Sequence, residues 1–134
     1  VRFEEEVKSA VEQVAKKFGG IDIVINNASA INLIPIEELS VKKYDLMMNI
    51  NLRGTFLLSK YCLPYLEKSS NPHILTLSPP MSFDPKWFEN NGPYTISKYG
   101  MSMMSFSLAS ELKSKKIASN ALWPRTAVAT AAVQ

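Results

Sequence analysis

A chain of 134 residues has the length of one domain and can bury a substantial core. Hydrophobic residues make up 46%, charged residues 20%, and the net charge is +3, which excludes a collagen-like or charge-expanded disordered chain. The basic residues are scattered as pairs such as Lys16-Lys17, Lys42-Lys43 and Lys115-Lys116, so neither a nucleic-acid tail nor a polybasic membrane patch is indicated.

No stretch approaches the roughly 18 apolar residues that a membrane-spanning helix needs. The lone Cys62 can form no internal disulfide, which suits a reducing compartment. The chain opens on Val1-Arg2-Phe3, neither a start methionine nor a signal peptide, and ends on Ala132-Val133-Gln134, which is no peroxisomal tripeptide. It therefore reads as a fragment.

In chain order, Val7, Ala10, Val11, Val14, Ala15 and Phe18 recur at helical spacing, and Gly19-Gly20 stops that helix. Ile21 to Asn27 is a β-branched run that reads as a buried strand. Ser40 caps a helix expected from Val41 to Leu66, with Tyr44, Met48, Asn51, Thr55, Leu58 and Cys62 on one face and Pro64 kinking or tightening its end. Ser69-Ser70-Asn71-Pro72 is a turn and His73 to Ser78 a second strand. Pro79 to Pro93 is a long loop, of the kind that is often functional.

Tyr94 to Ser114 is a third helix, apolar on nearly every side through Met101, Met103, Met104, Phe106, Leu108, Ala109 and Leu112. Such a helix needs cover twice, here by the sheet and by a partner subunit. Ile117 to Trp123 is a third strand, ended by Pro124. Alternating helices and strands imply a parallel sheet, whose ligands bind beyond the carboxyl ends of the strands. Residues 1–134 read as one domain, without repeat or linker.

Tyr94 and Lys98 stand four apart on a helix and share a face. A phenol with a pKa of about 10 is a poor base at neutral pH, and a neighbouring ammonium lowers that value. A tuned phenol can give a proton to a carbonyl or take one from an alcohol. Alone, the pair is also an ordinary helix start. Asn26-Asn27-Ala28-Ser29 at a strand end is a polar site or a plain Asx turn. Asn51 and Gly54 are poor helix-interior residues and suggest a bend or a site, and Ser78 ends the second strand. His73 has no second ligand at metal spacing, so no metal site is expected.

Asn26-Asn27-Ala28-Ser29, Ile50-Asn51-Leu52-Arg53-Gly54, Leu77-Ser78, Tyr94 to Lys98 and Leu122-Trp123-Pro124, in this order, resemble the short-chain dehydrogenase/reductase family. The resemblance covers essentially the whole chain. It implies an α/β fold, a partial Rossmann-like doubly wound parallel sheet that lacks the first strands and the glycine-rich loop. It implies an oxidoreductase that moves hydride between NADP or NAD and a small-molecule carbonyl or alcohol substrate; that the substrate is apolar is one reading of Trp87 and Phe88. Tyr94 would be the general acid/base, and Lys98 would lower its pKa and bind the nicotinamide ribose. Asn51 would hold a water in a proton relay, and Ser78 would orient the substrate. Asn27 and Ala28 would line the cofactor ribose, and the stretch from Pro124 to Thr130 would meet the nicotinamide amide and pyrophosphate. A homo-oligomer built on the Tyr44–Cys62 and Met101–Leu112 helices, and a peroxisomal or mitochondrial location, follow from the resemblance alone.

Three departures stand out. The family serine falls one residue beyond Ser78, or near Met81 or Ser82 when counted back from the tyrosine, so Ser78, Ser82 or neither fills that role. Arg125 replaces the glycine of a Pro-Gly turn and meets a phosphate or faces solvent, the latter preferred. The glycine-rich Gly-x-x-x-Gly-x-Gly loop is missing. That absence keeps open a catalytically inactive interaction or assembly module, and an unrelated flavodoxin-like binding domain is a third reading. Trp87 and Phe88 wall the substrate pocket or pack on the base of their own loop.

Overall fold

The apolar stripe of the first segment forms helix α1 (Glu4–Phe18), which turns Val7, Val11 and Ala15 inward. The Glu4-Glu5-Glu6 run stands at its N-terminus and Lys16-Lys17 at its C-terminus, both signs suiting the helix dipole. Gly19 ends it with φ +84°, a left-handed conformation that glycine adopts without steric cost, and its N–H donates to the Ala15 carbonyl at 2.9 Å. Ala10, Val14 and Phe18, expected on the inner face, are exposed.

The computed structural model describes residues 1–125. After α1 come β1 (Ile23–Asn26), α2 (Val41–Met48), a π-helical turn (Asn49–Arg53), α3 (Gly54–Leu66), β2 (His73–Leu77), α4 (Gly92–Glu111) and β3 (Ala118–Leu122). Two short 3-10 turns, Pro85–Trp87 and Lys113–Lys115, flank α4. The strands form one parallel sheet in the order β1-β2-β3, with Val24 beside Ile74 and Ile74 beside Ser119. This is the open, parallel α/β architecture that the alternation of elements implies.

The strands are each one to three residues shorter than read from sequence, and two of the helices differ from their reading. The expected Val41–Leu66 helix carries a π turn in its middle, which inserts extra backbone into one turn and shifts the phase of the inner face. The buried row is therefore Met47, Asn51, Thr55, Ser59 and Cys62, while Tyr44 is exposed. The third helix starts at Gly92 rather than Tyr94, because Pro93 occupies the first turn, where its missing N–H is not needed. It ends at Glu111 instead of Ser114, the chain tightening into a 3-10 turn closed by Lys116 at φ +57°.

Alternation along the strands decides which sheet face is covered. Val24, Asn26, Ile74, Thr76 and Ser119 are buried, whereas Ile23 and Ile25 are 60% and 55% exposed. Polar side chains tie helices to the covered face: Asn26 Nδ2 donates to Ser59 Oγ at 3.1 Å, and Ser105 pairs with Ser119 at 3.3 Å. Among the described residues the helices thus line one face of the sheet. The core of Val7, Val11, Val24, Leu57, Leu66, Ile74, Leu112 and Ile117 lies between that face and the helices.

Candidate active site

The carboxyl ends of the three strands open into a cleft of about 1000 Å³. Asn27 follows β1, Ser78 follows β2, and Trp123 to Arg125 follow β3; all border it. Helix α4 brings Tyr94, Thr95, Lys98 and Tyr99 to the same space. Ile31, Leu33, Pro79, Pro80, Trp87 and Leu122 give it mostly apolar walls with a few convergent polar groups, the character of a small-molecule site.

Of the residues singled out from sequence, Tyr94, Lys98, Ser78, Asn27 and Pro124 meet in this cleft. Ala28 is exposed and does not border it, and Asn51 is wholly buried behind it. Thr130 lies outside the described residues.

The expected lowering of the Tyr94 pKa is corrected. Burial pushes the phenol above its ordinary value, opposed only by a hydrogen bond with Ser29. Lys98 does not supply the lowering, because its ammonium donates to the Leu77 carbonyl at 2.8 Å, and burial pulls its own pKa down. An ammonium has three N–H donors, so two remain for a ligand.

Asn51 acts on backbone. Its Oδ1 accepts from the Ala30 N–H at 2.7 Å, and its Nδ2 donates to the Ala30 carbonyl at 2.9 Å and to Ser97 Oγ at 2.8 Å. Ser97 in turn donates to the Tyr94 carbonyl at 2.7 Å. A chain of hydrogen bonds thus runs from the loop after β1, through the π turn, to the first turn of α4.

The two candidate serines differ in what their hydroxyls already do. Ser78 is 3% exposed and its Oγ has no hydrogen-bond partner among the described residues, although its N–H donates to the Leu122 carbonyl at 3.1 Å. Ser82 Oγ accepts from the Asp84 N–H at 3.3 Å in a local turn. Ser78 therefore brings to the cleft wall a buried hydroxyl that the described residues leave unpaired, whereas the Ser82 hydroxyl is already used.

Trp87 borders the cleft, while Phe88 packs edge-on against Tyr99 of α4 with ring centroids 5.8 Å apart. Arg125 is exposed and also borders the cleft. The sequence assigns no role to Tyr99 or Ser97, and it marks Ser29 only as part of the polar strand end.

Among the described residues no group of three potential metal ligands occurs, and no helix is long and apolar enough to cross a membrane.

The sequence pattern of the short chain dehydrogenase family matches residues 1–134. Hydroxysteroid dehydrogenase-like protein 2 of Danio rerio is 58% identical over 133 residues, covering 99% of this chain and 32% of that protein. The chain spans about a third of the length of the curated relatives it matches. The crystal structure of a short chain dehydrogenase from Mycobacterium thermoresistibile superposes with a TM-score of 0.93 at 53% identity, over 99% of this chain and 47% of that one. A metagenomic short-chain oxidoreductase in complex with NADP, 21% identical, shares the fold with a TM-score of 0.84 over 93% of this chain and 56% of that one.

Proposed function

This chain belongs to the short chain dehydrogenase family, and on that premise we propose that it forms one partial domain of an oxidoreductase acting on a carbonyl or alcohol, with Tyr94 as the general acid/base. The observation that carries this reading is the convergence of Tyr94, Lys98 and the unpaired Ser78 hydroxyl on one cleft at the strand ends.

The described residues suit the nicotinamide-ribose end of a dinucleotide. Lys98 has free donors for ribose hydroxyls, and Asn27 and Pro124 offer polar and backbone groups at the rim. When bound, the nicotinamide supplies or accepts the hydride. The phenol of Tyr94 delivers the proton to the carbonyl oxygen in reduction and takes it back in oxidation. The Ser78 hydroxyl donates to that same oxygen and fixes its position. The cofactor is NADP or NAD, with NADP the choice that the family resemblance suggests. The mostly apolar walls favour a small apolar substrate.

Titrating the full-length protein into NADPH and reading nicotinamide fluorescence tests the cofactor. Tyr94→Phe is expected to lower turnover by a factor on the order of 10² to 10⁴ and to leave NADPH affinity nearly unchanged. A wild-type protein that leaves the fluorescence unaltered sinks the enzyme reading and moves the chain to an interaction or assembly role.

A further inference from the structure

The segment between Ser78 and α4 forms local turns, in which the Ser82 hydroxyl accepts from the Asp84 N–H and the Asp84 carboxylate from the Lys86 N–H, but such local bonds do not fix where it lies against the cleft. Pro79, Pro80 and Pro85 have no N–H to donate, and Met81 and Phe83 leave 53% and 89% of their surface exposed. Its position comes from α4. Thr95, Lys98, Tyr99 and Ser102 stand at i, i+3, i+4 and i+7, one face of the helix, and each bonds backbone of the facing chain. Lys98 donates to the Leu77 carbonyl at 2.8 Å and Ser102 to the Pro79 carbonyl at 2.6 Å. Thr95 donates to the Trp87 carbonyl.

Tyr99 makes the fullest of these ties. Its phenol donates to the Ser82 carbonyl at 3.0 Å and accepts from the Ser82 N–H at 3.2 Å, as a neighbouring strand would. Its ring meets Phe88 edge-on at 84°, and it borders the cleft together with Pro79, Pro80, Ser82 and Trp87. Both polar groups of one residue and the aromatic six positions later are therefore fixed by a single side chain.

We infer that Tyr99 is a positioning residue for substrate selection: it holds residues 79–88 as a preformed wall of the cleft and so sets KM for the apolar end of the substrate. The inference rests on the proposed oxidoreductase reading. The wall is built before substrate arrives, so substrate binding bears less ordering cost.

The test is Tyr99→Phe in the full-length protein, which keeps the ring for Phe88 and removes the hydroxyl. Two readouts are followed. Hydrogen exchange of the Ser82 amide is expected to speed up about tenfold, the consequence of losing a neutral hydrogen bond. With NADPH and the apolar probe 9,10-phenanthrenequinone, KM is expected to rise about fivefold to tenfold while kcat stays within about twofold, the pattern of lost binding rather than lost chemistry.

Unchanged exchange and unchanged KM in an active protein overturn the inference alone. So does a fall in kcat at constant KM, or a lower melting temperature with KM unmoved, since either makes Tyr99 something other than a selector. A wild type that neither binds NADPH nor reduces the quinone overturns the oxidoreductase reading, and the selection role falls with it.

Discussion

Burial works against ionisation of Tyr94. Its phenol is pushed above the ordinary value of about 10 by desolvation, against which the Ser29 hydrogen bond works. We predict that the difference in ultraviolet absorbance between the cofactor-free wild type and Tyr94→Phe reports a phenol titrating above 10. A titration near neutrality would show that Lys98 leaves the Leu77 carbonyl and sits by the phenol in solution. A second prediction separates the serines. Ser78→Ala removes a hydroxyl with no partner among the described residues, so stability is expected to hold within about 0.5 kcal/mol while turnover falls on the order of 10²-fold. Ser82→Ala, which loses only a turn contact with the Asp84 N–H, should leave turnover within about twofold. Equal losses at both positions would return the choice to where sequence left it. Counting along the chain could not separate them, because the difference lies in which hydroxyl is already used, and that depends on the fold of the proline-rich loop.

At the scale of the elements, the π turn at Asn49–Arg53 is what turns Asn51 toward both Ala30 and Ser97. The sequence flagged the place, since Asn51 and Gly54 are poor helix formers, but not the outcome. Helical periodicity assumes 3.6 residues per turn, and an inserted residue breaks the count with no residue type to announce it. Hence the inner face was phased correctly at Asn51, Thr55 and Cys62 and wrongly at Tyr44. Gly100 belongs to the same junction: a Cβ there would lie 3.1 Å from the Leu52 side chain, so α4 approaches the π turn closely. We predict that Asn51→Ala costs about 2–4 kcal/mol in urea unfolding, because it strands the Ala30 N–H and carbonyl and one contact of Ser97. A loss below about 0.5 kcal/mol would mean that water replaces the amide and that the chain of hydrogen bonds to Tyr94 is not structural.

For the whole molecule, the parallel order of strands and the placement of a site at their carboxyl ends were legible because alternating helices and strands leave few other topologies. Which helix faces stay bare was less legible. The third helix was read as apolar all round, yet the residues it buries include Thr95, Ser97 and Ser105 beside Met101, and Ser105 meets Ser119 of β3. Its larger apolar groups point elsewhere: Ile96, Met103 and Phe106 are 52%, 60% and 75% exposed, and Phe56 on α3 is 44% exposed. Ile96, Met103 and Phe106 fall at i, i+7 and i+10, one side of the helix. Contiguous apolar side chains of this size on a helix face are characteristic of an association surface. The family resemblance implies that these same helices meet across an oligomer. We therefore predict that the full-length protein has a multiple of its chain mass by light scattering, and that Phe106→Glu lowers it. The substitution places a charge where burial against a second copy would strip its water, at a cost of several kcal/mol. Phe106 does not border the cleft, so NADPH affinity should survive in the smaller species. A wild type that already scatters as one chain, or a Phe106→Glu protein of unchanged mass, would place the interface elsewhere and leave this row of apolar side chains without a partner.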